Sequence, residues 1–100
     1  MKMLEIKIYF AKTEKTERII DDLETYLNYT FGGYTAYNGF GGYIGDILTE
    51  YREDSYIYEI LTTKTQIDYK SHIKELFTGS GEECIMITQK CINEIDYISL

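Results

Sequence analysis

The chain has 100 residues, a formal charge of -7, 44% apolar residues, no Pro and no Trp. That is one domain with enough apolar side chains for a real core, which excludes global disorder. The acidic balance excludes direct DNA or RNA binding, which needs a basic patch facing the phosphates.

The first residues, Met1–Phe10, carry Lys2, Glu5 and Lys7 and do not read as a secretory signal. Leu4, Ile6, Ile8 and Phe10 alternate with Glu5, Lys7 and Tyr9, which predicts a strand with one buried face. Thr13 follows as a helix cap, with Glu14 and Glu17 near the positive end of the helix dipole. Ile19, Ile20, Leu23, Tyr26 and Leu27 form one helical stripe, and Gly32 or Gly33 is the expected stop.

Residues 32–45 then hold six of the eight glycines, interleaved with Tyr34, Tyr37, Phe40 and Tyr43. Tyr34–Asn38 has strand composition. Asn38-Gly39 predicts a hairpin or bulge, and at least one of Gly39, Gly41 and Gly42 is expected at positive φ. Three readings fit this segment: a twisted, bulged hairpin, a Gly-flexed recognition loop, or a phosphate cradle. The last is the poorest fit, because no Lys lies between Lys15 and Lys64.

Residues 45–55 read as a connection, with irregular strand at Ile47–Tyr51, and Tyr56–Leu61 as a strong strand. Tyr69, Ile73, Leu76 and Phe77 predict a helix over Asp68–Phe77, ended by Gly79 and Gly81. Cys84–Thr88 reads as the last clear strand, and Cys91–Leu100 as either an edge strand or a helical turn. The order β-α-β-β-α-β predicts an α+β, ferredoxin-like domain: a four-stranded antiparallel sheet with two helices on one face. Tyr9 and some of Tyr34, Tyr37, Tyr56 and Tyr58 are expected on the open face, where a partner or a second copy would pack.

Phe31-Gly32-Gly33-Tyr34-Thr35, then Gly39, Gly42-Tyr43 and Glu59, resembles the core pattern of a family of short uncharacterised phage and bacterial proteins. Gly81-Glu82-Glu83-Cys84-Ile85 is similar to that family's late strand, without its Gln. The resemblance implies the ferredoxin-like fold and no established activity.

Catalytic signals are sparse. His72 is the sole His and falls at the border of its helix stripe, and Cys84 sits in an apolar strand without activating charge. Cys84 and Cys91 lack CxxC spacing and read as reduced thiols of a cytoplasmic protein. Asp46, Glu50, Glu53 and Asp54 lack calcium-loop spacing, and neither a metal nor a cofactor is expected. No stretch reads as a membrane span.

Two functions follow. The first is a small acidic interaction protein, not an enzyme, that binds a basic protein partner or forms a homodimer. A phage-borne inhibitor of a host nucleic-acid-handling or defence protein would fit this class. Its surface would include Phe40, Asp46, Glu50, Glu53 and Asp54. The second is a nucleotide-like small-molecule binder or weak enzyme with Tyr34, Tyr37 and Tyr43 lining a pocket and Glu59 or Asp46 as its polar group.

Overall fold

The structure, a computed structural model, describes residues 3–44, 50–64, 67–82, 85–93, 96 and 98–99. The side chains of residues 41, 43, 44 and 50–52 are not among those described. Four strands, β1 (Met3–Ala11), β2 (Thr35–Ile44), β3 (Glu50–Thr62) and β4 (Met86–Ile92), form one antiparallel sheet in the order β2-β3-β1-β4. Three helices connect them: α1 (Glu14–Glu17), α2 (Ile20–Phe31) and α3 (Tyr69–Phe77). This is the ferredoxin-like α+β arrangement.

The alternation in β1 does what period two requires. Leu4, Ile6, Ile8 and Phe10 turn to the helices with Tyr58 and Ile60 of β3, and all six are buried. Leu23 and Leu27 of α2 and Tyr69, Ile73 and Phe77 of α3 meet them, so both long helices lie on the same face. Phe10 stacks on Tyr58 at 5.8 Å between centroids and meets Phe77 edge-on at 4.8 Å.

The helices start and stop for local reasons. Thr13 and Thr16 form a reciprocal capping box, and the buried Thr16 hydroxyl also donates to the Ala11 carbonyl at 2.7 Å. The expected single helix is broken into α1 and α2, because Ile19 N–H bonds back only three residues, to Thr16 O. Gly32 (φ 86) caps α2 in the left-handed conformation, its N–H bonding Asn28 O. Asp68 caps α3 by accepting from the Ser71 amide and hydroxyl, which holds its carboxyl below the usual range.

Three expectations need correcting. β2 runs unbroken from Thr35 to Ile44 in one register with β3, from Thr35↔Glu59 to Ile44↔Glu50. Asn38-Gly39 is therefore neither a turn nor a bulge. Gly39 is not among the positive-φ glycines; a Cβ there would stand 3.0 Å from Ile57 Cδ1. It serves close packing across the strands rather than a bend. Tyr51 belongs to β3 instead of an irregular segment, and Cys91 and Ile92 complete β4. Cys84 and Asp46 lie outside the described residues.

The β2–β3 hairpin is longer than the sheet it joins. β1 pairs with β3 only as far as Ala11↔Ser55, and Lys12 N–H reaches Asp54 O at 2.8 Å. Beyond that point Gly41–Ile44 and Glu50–Glu53 pair with each other as a two-stranded ribbon. The molecule accordingly measures 48 × 27 × 22 Å.

Leu23 and Ile73 have 0% exposure. Leu23→Ala or Ile73→Ala is expected to lower unfolding free energy by about 2–4 kcal/mol in denaturant titrations. Phe40→Ala, at 73% exposure on β2, is expected to leave the unfolding free energy within about 0.5 kcal/mol of the parent.

Candidate functional site

The open face is organised in rows set by strand register. Tyr37, Ile57, Tyr9 and Met86 form one row across all four strands. Thr35, Glu59, Lys7 and Thr88 form the next. On the other side of the apolar row lie the small residues Gly39, Ser55 and Ala11. Tyr37 is 40% exposed and Met86 54%. The apolar row is exposed at its two ends, Tyr37 and Met86, where another surface can reach it.

The tyrosines divide between the two faces. Tyr9 and Tyr37 are on the open side, as expected. Tyr56 and Tyr58 face the helices, and Tyr34 joins them, its ring 5.4 Å from that of Tyr58. The Tyr56 and Tyr58 hydroxyls meet helix carboxylates. Tyr58 donates to Glu24 at 2.7 Å, and Tyr56 donates to Glu17. Burial first, then the bond to Glu24, pushes the Tyr58 phenol far above its ordinary value. Lys12 stands 5.5 Å over the Tyr56 ring. These contacts clamp the helices to β3, and composition alone did not reveal them.

Of the acidic residues named from the sequence, Glu53, Asp54 and Glu59 have described side chains. Asp54 is exposed and Glu53 half-buried near the ribbon root. The Glu82 carboxyl is pushed up by burial and by the charge of Glu53. For Tyr43 and Glu50 only the backbone is described, as the pair Tyr43↔Tyr51 and Ile44↔Glu50 at the ribbon end. His72 is exposed and stacks on Tyr26, centroids 3.9 Å apart and planes 8° apart, joining α3 to α2.

At the end of the sheet away from the ribbon, the turn from α2 into β2 borders an open cavity of about 340 Å³. Phe31, Gly32, Gly33, Tyr34, Thr35, Glu59 and Leu61 line it. Thr35 and Glu59 are partners in register, and the Tyr37 hydroxyl donates to Glu59 at 3.4 Å. Two of the sequence-predicted residues, Tyr34 and Glu59, thus border the same cavity, and the Tyr37 hydroxyl reaches the carboxylate. Phe31, Thr35 and Leu61 were not foreseen; only the register brings them in. A second cavity, about 320 Å³, lies between α3 and β4, with Lys70, Lys74, Phe77, Glu82 and Ile87 among its walls.

No protein-family model matches the chain, and no curated protein matches it in sequence. Solved structures do match its fold. GlnK of B. subtilis, solved as an ATP complex, superposes with a TM-score of 0.60 at 15% identity, over 91% of this chain and 82% of that one. CutA of Pyrococcus horikoshii gives 0.60 at 12% identity, over 93% and 87%. The divalent ion tolerance protein CutA1 of Ehrlichia chaffeensis gives 0.61 at 12%, over 94% and 84%. At such identities the likeness establishes the fold alone, the ferredoxin-like sheet and helices described above. No helix among the described residues is long and apolar enough to cross a membrane.

Because the folded state keeps the Tyr58 proton above the ordinary phenol value of 10.0, it binds more protons than the unfolded chain at higher pH. The contribution of Tyr58 to stability is therefore expected to be constant below pH 10 and to be lost as pH rises further. Tyr58→Phe should make the alkaline loss of stability shallower in pH-dependent denaturant titrations and cost about 1 kcal/mol at neutral pH, with Glu24 left without its partner.

Proposed function

We propose that the chain is a small-ligand-binding protein, not an enzyme, whose site is the cavity at the α2–β2 turn. One observation carries this reading. The cavity joins an aromatic and glycine wall to a single carboxylate, Glu59, oriented by a tyrosine hydroxyl. The fold adds support, since it is shared with a GlnK determined with ATP bound and with proteins named for divalent ion tolerance.

The open face favours a second statement, that the chain works as a homo-oligomer. The row Tyr37, Ile57, Tyr9 and Met86 is uncovered by any helix, and burial against a copy of the same face removes it from water. Glu5, Lys7, Glu59 and Lys90 place both charge signs on that face, so two copies can offset each other's charges. A basic protein partner rests on the acidic charge, and the phage inhibitor reading on that charge and the family resemblance. Glu17, Glu24 and Glu59 already receive tyrosine hydroxyls, which weakens the case for an acidic decoy surface. A cytoplasmic location remains the reading of the cysteine pattern.

Ligand binding is tested by amide NMR with a panel of nucleotides, amino acids, sugars and amines. Saturable shifts are expected at Gly32, Gly33 and Thr35, and a panel that moves none of them overturns the reading. For assembly, light scattering should give a multiple of 11.7 kDa at high micromolar concentration. Ile57→Asp should return the mass to that of one chain. A parent protein that is monomeric in this range overturns the homo-oligomer.

A further inference from the structure

We infer that the cavity at the α2–β2 turn takes a small organic ammonium ion, an inference that rests on the ligand-binding reading above. The charge of the walls is the first reason. Among the described residues the lining supplies one carboxylate, Glu59, and no ammonium or guanidinium group. An anionic ligand, including a phosphate, would enter against that charge.

The helix end is the second reason. α2 finishes at Phe31, and its last turn carries no basic residue. Its terminal carbonyls present the negative end of the helix dipole, which favours a cation. The protein already uses this end in that way: Lys64 Nζ donates to Thr30 O at 2.7 Å.

The donor set separates an organic cation from a metal ion. Among the lining residues, Phe31, Tyr34 and Leu61 offer an alkyl chain apolar contact. A divalent metal wants several oxygen ligands, and no group of three His, Cys, Asp or Glu converges among the described residues. About 340 Å³ lies at the small end of ligand cavities, which limits the guest to a few heavy atoms beyond its nitrogen.

Lys7 is the internal competitor. It pairs with Glu59 in register, and the Tyr37 phenol, Glu5 and Glu59 together raise its pKa. Its ammonium sits 3.7 Å from Glu5. A guest ammonium on Glu59 would leave Lys7 to Glu5.

The test uses the full chain and amide NMR, with n-butylammonium as the probe and butyrate and calcium chloride as controls. Butylammonium should shift Gly32, Gly33 and Thr35 saturably. Glu59→Gln should weaken its binding about tenfold or more, the loss of one charge-assisted contact. Lys7→Met should tighten it about twofold to fivefold by removing the competing charge. Butyrate or calcium moving these amides while butylammonium does not overturns the ammonium assignment and leaves the ligand-binding reading standing. A butylammonium shift that survives Glu59→Gln unchanged also overturns it. If no ligand of any class moves these amides, both fall together.

Discussion

The register of β3 against β1 is the constraint on which the rest of the molecule depends. Ile6↔Ile60 and Ile8↔Tyr58 put one apolar set under the helices. Sliding β3 by one residue would turn Tyr58 and Ile60 outward and bring Ile57, Glu59 and Leu61 beneath α2. Glu59 would then be a buried charge without a partner, at a cost of several kcal/mol. The same slip would separate Tyr58 from Glu24 and remove Glu59 from the cavity. Core, helix clamp and candidate site are thus three consequences of one alignment.

That alignment is carried outward strand by strand. β3 passes it to β2, so Thr35 stands opposite Glu59 and Tyr37 opposite Ile57. It also orders the open face into an apolar row and a polar row, with the charges confined to the polar side. Helix packing is secured separately, by side chains with two roles. Tyr58 fills the core with its ring and bonds Glu24 with its hydroxyl, while Tyr69 packs beside Ile73 and donates to Gln89 of β4. A chain without Trp relies on such tyrosines for both volume and direction.

The two ends of the sheet differ in consequence. At one end the hairpin outruns β1 and continues as a ribbon, and two strands alone have little independent stability. At the other end the α2–β2 turn closes tightly around Gly32 and leaves a cavity beside Glu59. The glycine-rich segment spans both: its first pair builds the turn, and Gly39 lets Ile57 pack across the strands.

How much was legible in the sequence follows from the range of the interactions involved. The β1 alternation, the α2 and α3 stripes, the Thr13 and Asp68 caps and the Gly32 stop are set by neighbours within about four residues. Period and cap chemistry expose such features directly. The order βαββαβ, and with it the ferredoxin-like fold, was determined by the sequence for this reason. The straight passage of β2 through Asn38-Gly39 was not, because a strand partner outweighed a local turn signal. Which tyrosines face the helices, which acids they satisfy, and the meeting of Phe31 and Thr35 with Glu59 were decided only by tertiary structure. Each depends on pairing residues more than twenty positions apart, and nothing short-range in the chain encodes which face of the sheet a given Tyr will occupy until that register is set.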